Sequence, residues 1–163
     1  MMNLLFSPSG RIAPSQYMRG MIIIAVISAL LSLLNLISVS LAVIGGLVGL
    51  VLIYCFFALG IKRSHDAGKS GWLSITHFLL LMLVSVAVIY VVGLLFGRSF
   101  EDLLGLGAAT TGDVAAEARA NALPGAIGQF LTYPITAFLV NMLNPHDPTP
   151  NQYGTIVDGA TFD

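Results

Sequence analysis

The feature that most constrains this chain is an uncharged run of about 42 residues, Gly20–Ile61, which contains no Asp, Glu, Lys, Arg or His. One helix over this run would be roughly 63 Å long at ~1.5 Å per residue. That length is twice the ~30 Å hydrocarbon core of a bilayer. Two membrane spans joined by a tight turn fit both lengths, and the run predicts helices over residues 20–37 and 41–61. The polar residues that mark the turn are Asn35, Ser38 and Ser40.

Two further runs without Asp, Glu, Lys or Arg follow. The first predicts a span over residues 72–96. The second predicts a span over residues 125–143, in which Pro134 should kink the helix or free a carbonyl. Between them lies a segment rich in Ala, Gly and Thr, residues 98–124, which we expect to form an outer loop. This loop would be a surface hairpin or a short helix, and Asp113–Ala122 has the composition of a helix.

The composition agrees with this membrane interpretation. Hydrophobic residues make up 56% of the 163 residues and charged residues only 9%, whereas soluble domains carry roughly 25% charged residues. A net charge of −1 argues against a nucleic-acid-binding protein, which needs a basic surface. The single cysteine, Cys55, excludes an intramolecular disulfide and a zinc site of paired cysteines. We therefore expect an all-α polytopic membrane protein, with residues 1–163 forming a single domain of four transmembrane helices.

The distribution of positive charge predicts the orientation of these spans. The seven Lys and Arg residues divide unevenly: one predicted side carries Arg11, Arg19, Lys62, Arg63 and Lys69, and the other carries Arg98 and Arg119. Cytoplasmic loops are richer in Lys and Arg than outer loops. We therefore expect both termini inside the cell, with residues 144–163 as a cytoplasmic tail.

The densest polar cluster of the chain joins the second and third predicted spans. Lys62 and Arg63 would suit the C-terminal end of a helix near anionic headgroups. Gly68 suits the left-handed residue that ends a helix. Ser70 can cap the next helix, and Trp72 suits the headgroup level. Each position thus has a structural explanation.

The same cluster also suggests three kinds of chemistry, each with a weak pattern. The Gly-Lys-Ser at residues 68–70 lacks the first glycine of a phosphate-binding loop. The consecutive Ser64-His65-Asp66 has the residue types of a hydrolytic triad, but triad residues converge in space rather than in sequence. The pairs His65-Asp66 and His146-Asp147 could offer ligands to a divalent metal, although two such pairs also arise by chance. We expect no catalytic residues, no metal and no cofactor.

Amide and imidazole side chains inside the predicted spans are few: Asn35, His77, Gln129 and Asn141. They are the only candidates for a polar pathway through the bundle, and the spans contain no Asp or Glu that could relay protons. We expect His77 to be a neutral imidazole hydrogen-bonded to a neighbouring helix.

Three motifs together resemble a known family. They are Gly10-Arg11-Ile12 with Tyr17 after it, the loop from Lys62 to Trp72, and the tail Asn151-Gln152-Tyr153-Gly154. The chain resembles the bacterial inner-membrane family catalogued as domain of unknown function 805 (DUF805). It departs from the family pattern at Ser64, where a leucine is usual, and at Leu73, where an aromatic residue is frequent. The resemblance implies a multi-pass inner-membrane protein and supplies no activity.

Combined with the predicted topology, the motifs indicate a polar cap on the cytoplasmic end of the bundle. We expect Asp66 to pair with Arg11 or Arg63, and the segment Asn151–Tyr153 to fold back onto the cap. The candidate cap residues are Arg11, Lys62, Arg63, His65, Asp66, Lys69, Ser70, Trp72, Asn151 and Tyr153.

The expected function is that of a structural or accessory membrane protein rather than an enzyme. Its cap would bind anionic membrane lipids or a larger membrane-protein complex, and we expect no nucleic-acid partner. The alternatives are a small channel or transporter, and an enzyme acting on lipid headgroups through His65 and Asp66.

Overall fold

The computed structural model of the chain describes residues 2–104 and 112–155, and its regular structure is helical. Four of the helices are long and apolar enough to cross a membrane, so the predicted all-α, four-span architecture is confirmed. The helices are α1 (Met2–Phe6), α2 (Pro14–Leu33), α3 (Val39–Asp66), α4 (Ser74–Phe96), α5 (Phe100–Leu103) and α6 (Val114–Leu143).

The turn between α2 and α3 lies close to its predicted position. A short 3-10 helix, Leu34–Leu36, continues α2, and the Ser38 hydroxyl then accepts a hydrogen bond from the Ser40 amide at 3.1 Å. This side-chain bond satisfies one of the free amides at the start of α3. At its other end α3 continues to Asp66, beyond the predicted limit at residue 61.

The fourth long helix differs from the prediction. A surface hairpin or short outer helix and a separate span over residues 125–143 were expected, but α6 is continuous from Val114 to Leu143 and contains Pro124 and Pro134. Its first turn is capped by Asp113, whose carboxylate accepts from the Ala116 amide at 2.9 Å. The expected loop over residues 98–124 thus contains α5 and the first turns of α6, and its residues 105–111 lie outside the described residues.

A contact with α2 fixes α6 close to Pro124. The Ser32 hydroxyl donates to the Ala122 carbonyl at 3.1 Å. This approach requires glycine at position 125, because a Cβ there would lie 2.7 Å from Ser32 Oγ. Pro124 has no N–H to donate to the Ala120 carbonyl four residues earlier, so the Ser32 bond joins the two helices beside the proline and does not replace the bond that the proline removes.

The buried core lies between α2, α3 and α6. α2 packs along both α3 and α6, while α4 packs mainly against α6. At the end of the bundle near Gly20 the helices are close, since a Cβ at Gly20 would lie 2.7 Å from the Leu59 methyl groups. The opposite half of α3 is open: Val43 is 66% exposed and Leu47 is 64% exposed. Such an apolar exposed surface suits contact with lipid or with other membrane helices.

Candidate functional site

Asp66, the last residue of α3, is the centre of a buried polar network at one end of the bundle. Its carboxylate Oδ1 lies 3.3 Å from Arg11 Nη2, and Oδ2 lies 2.7 Å from Arg63 Nη1. The side chains of all three residues are fully buried. His146 Nδ1 contacts the same carboxylate at 2.8 Å. The predicted pairing of Asp66 with Arg11 or Arg63 is therefore found with both arginines at once.

Arg11 ties the C-terminal segment to the end of α3. Its Nη1 donates to the Thr149 carbonyl at 2.7 Å, and its Nη2 donates to the carbonyls of Asp66 and Asp147. The planar guanidinium group presents several N–H donors in fixed directions. One side chain can therefore bond a carboxylate and backbone carbonyls from two segments of the chain.

Arg63 connects three of the long helices. Its Nε donates to Asn141 Oδ1 of α6 at 2.7 Å, and its Nη2 donates to the Asn144 carbonyl just after α6. The Asn141 amide in turn donates to the Pro14 carbonyl at the start of α2, at 3.1 Å. Arg63 thus joins α3 to α6 directly and to α2 through Asn141.

Asn144 connects the cap to His77 and fixes the tautomer of that histidine. Lys69 Nζ, which can only donate, bonds Asn144 Oδ1 at 2.9 Å. The Asn144 amide nitrogen therefore faces the Val140 carbonyl at 3.2 Å and His77 Nε2 at 3.0 Å. Nε2 must then accept, so the imidazole is neutral with its proton on Nδ1. His77 contacts a residue at the end of α6, in line with the expected bond to a neighbouring helix.

The tail covers the cap by stacking and by backbone contacts. The rings of His65 and Tyr153 are parallel, with centroids 3.9 Å apart. His65 Nδ1 lies 3.1 Å from the Gly10 carbonyl, and the Asn151 amide donates to the His65 carbonyl at 3.1 Å. A tight turn between Asn151 and Gly154 holds the tyrosine in place. The segment Asn151–Tyr153 folds back onto the α3 end of the cap, as predicted.

Asp147 stabilises the turn that leads into this tail. Its carboxylate accepts from the Thr149 hydroxyl at 2.6 Å and from the Thr149 amide at 3.0 Å. These bonds, with smaller contributions from Asn151 and the positive charge of Arg11, hold the pKa of Asp147 below its usual 3.8.

Three of the predicted cap residues lie outside the Asp66 network. Lys62 donates instead to the carbonyls of Asn3, at 2.9 Å, and Leu4, and so anchors α1. The Ser70 hydroxyl accepts from the Trp72 amide at 3.4 Å and caps the short 3-10 helix that precedes α4. Trp72 is 79% exposed. These three residues flank the network instead of forming it.

The network also contains residues that the candidate cap did not include: Asn141, Asn144, His146 and Asp147. The sequence offered one signal for them, the second His-Asp pair at 146–147 on the predicted cap side. That pair was considered as a metal site. Among the described residues no group of three or more His, Cys, Asp or Glu side chains is placed to hold a metal ion, and His146 bonds the Asp66 carboxylate instead.

The polar residues considered for a pathway fall into two groups. His77 and Asn141 belong to the cap network, whereas Asn35 bonds the Ser32 carbonyl near the opposite end of α2. Gln129 borders a cleft with Ser32 in that opposite half. Between the groups lie fully buried apolar side chains, including Ile24.

Comparison with known proteins places the chain in a family. A family model described as "Protein of unknown function (DUF805)" matches residues 5–155, which is nearly the whole chain. The chain belongs to the DUF805 family. The match includes every residue of the cap network, so the cap lies inside the DUF805 region of the chain. Searches of curated proteins and of solved structures give no significant match.

Proposed function

We propose that this DUF805 protein is a non-enzymatic accessory protein of a bacterial inner membrane. In this proposal the cap faces the cytoplasm and binds anionic lipid, while the exposed helix faces pack against larger membrane proteins. The observation that carries the proposal is that the Asp66 carboxylate has all its hydrogen-bond partners within the chain. Both of its carboxylate oxygens are bonded to side chains of the same chain, which suits a rigid platform.

The charge of the cap supports a cytoplasmic placement. Its described cationic side chains are Arg11, Arg63 and Lys69, with Lys62 flanking them, and its described carboxylates are Asp66 and Asp147. An excess of Lys and Arg is typical of cytoplasmic loops. The inner surface of the membrane is also the one whose negative potential attracts basic segments.

The bonding of His65 and Asp66 favours a structural role over the lipid-headgroup chemistry considered for them. A general base must come within hydrogen-bond reach of the substrate proton. The Asp66 side chain is fully buried between two guanidinium groups, and the His65 ring lies against Tyr153.

A partner surface is supported by the outer half of α3. Gly46 and Gly49 lie there with open space where a Cβ would be, among exposed Val43, Leu47 and Leu50. Small residues on an exposed helix face allow another helix to approach closely in a membrane.

Affinity purification in mild detergent, followed by quantitative mass spectrometry, tests the accessory function. We expect one set of membrane proteins at a constant ratio to the wild-type chain, and its loss in a Gly46→Leu, Gly49→Leu double variant. A Leu94→Phe variant, altered on the exposed face of α4, is the control and should keep the set. Purification of the wild-type chain without any protein at a constant ratio would refute the proposal.

A further inference from the structure

A groove between α4 and the C-terminal end of α6 opens beside the cap. Its volume is about 400 Å³. Lys69 and Asn144 border it at the cap end, and leucine side chains of α4 line the part that extends along the bundle. The groove therefore has a charged end and an apolar remainder. A phospholipid has the same arrangement, with a charged headgroup at one end and apolar acyl chains beyond it.

The charged end presents a cation in a fixed position. Lys69 is exposed, and its ammonium uses one of three N–H donors for Asn144 Oδ1 at 2.9 Å. Asn144 is itself held by the Val140 carbonyl and by His77. Two donors of a positioned ammonium thus remain for an anionic oxygen at the mouth of the groove.

The apolar part has the direction and surface that an acyl chain needs. Thr76, Leu79, Leu80 and Leu83 line it on successive turns of α4. Leu79 is 58% exposed and Leu83 is 69% exposed. From Thr76 to Leu83 the helix rises by about 10 Å, so this strip extends from the cap into the depth of a bilayer.

We propose that this groove binds one anionic phospholipid, with its phosphate on Lys69 and an acyl chain along the leucine strip of α4. The inference rests on the proposed position of the cap at the headgroup level. An anionic lipid is favoured over a zwitterionic one because the described cap carries more cationic than anionic side chains, and a zwitterionic headgroup brings a second cation to the same place.

Native mass spectrometry of the full chain from bilayer discs of equal phosphatidylglycerol and phosphatidylcholine, with matched acyl chains, tests this site. We expect the wild type to retain phosphatidylglycerol preferentially. Lys69→Gln should lower that preference about fivefold, the effect of one Lys near an anionic surface, and Lys69→Arg should restore it. Arg119→Gln, which removes one exposed positive charge outside the cap, is the control and should leave the preference unchanged.

A second variant tests the apolar part without removing charge. Thr76→Trp fills the groove and should displace the bound lipid, whereas Leu94→Trp adds the same bulk at the other end of α4 and should retain it. Equal lipid retention by wild type, Lys69→Gln and Thr76→Trp would overturn the proposal. So would displacement of the lipid by inorganic phosphate alone, since that indicates a site for a free anion.

These outcomes are independent of the protein partners. Loss of lipid in Lys69→Gln with the co-purified proteins unchanged separates the groove from the accessory function. Co-purified proteins without preferential lipid retention would refute the groove alone.

Discussion

Replacing Asp66 by Asn removes the only carboxylate between the buried guanidinium groups of Arg11 and Arg63 in the part of the chain that the structure describes. Removing one partner of a buried ion pair costs about 3–5 kcal/mol, because the remaining charge is left uncompensated. Here the arginines keep other acceptors, such as the Thr149 carbonyl and Asn141 Oδ1, each at 2.7 Å. The Asn side chain also keeps one oxygen. We therefore expect a loss near the lower limit, about 3 kcal/mol of unfolding free energy.

The assay is reversible unfolding in mixed detergent micelles, followed by circular dichroism. Glu101→Gln, an exposed carboxylate outside the cap, should change the unfolding free energy by less than about 0.5 kcal/mol. A loss below about 1 kcal/mol for Asp66→Asn would match that of a neutral hydrogen bond and would refute the buried charge network.

A double-variant cycle separates charge from packing. Once Asp66 is neutral, Arg11 is an uncompensated buried cation, so Arg11→Met should cost less in the Asp66→Asn chain than in the wild type. We expect a coupling of at least about 1 kcal/mol between these directly bonded residues. Additive losses would show that the two side chains act independently.

Three further outcomes follow from the contacts. Gly20→Val should lower the unfolding free energy by about 1–3 kcal/mol through overpacking against Leu59, and Leu59→Ala in the same chain should relieve part of the loss. Gly93→Ala should destabilise the end of α4, since its Cβ would lie 2.8 Å from the Arg98 backbone carbonyl oxygen, which cannot move independently of the chain. Amide hydrogen exchange at that end of α4 should become faster, and an unchanged exchange rate would contradict the prediction. The lowered pKa of Asp147 stabilises the folded tail above pH 3.8. That stability should be lost as the pH falls below 3.8 through the pKa of Asp147 in the folded state. Pepsin cleavage near Tyr153 should therefore accelerate more in the wild type than in Asp147→Asn. Equal acceleration in the two chains would contradict this prediction.

The sequence predicted the spans because the bilayer imposes a simple rule on them. A helix must be apolar over a fixed length, and runs such as Gly20–Ile61 show that length directly. The start of α6 could not be predicted in the same way. Pro124 normally indicates the boundary of a helix. Beside it, the Ala122 carbonyl accepts a bond from Ser32 of α2, and a contact between segments so far apart in the sequence cannot be read from the sequence.

The location of the cap could be predicted from the sequence, but only some of its residues could. Arg11, Arg63 and Asp66 lie in motifs that the topology brings to one end. Asn144 could not be assigned, because its role depends on two partners, Lys69 and His77, that meet it only in the packed bundle. Lys62 was assigned to the cap by its charge, but the rotation of α3 points it towards α1.

The central claim is that the N-terminal segment, the loop between α3 and α4, and the tail meet at one surface of the membrane. Labelling of single cysteines with an impermeant maleimide, in a Cys55→Ala background, tests it most directly. We predict that Ser9→Cys, Lys69→Cys and Gln152→Cys are labelled only in inverted membrane vesicles and that Arg119→Cys is labelled only in intact cells. Labelling of positions 9 and 69 from opposite sides would contradict the account.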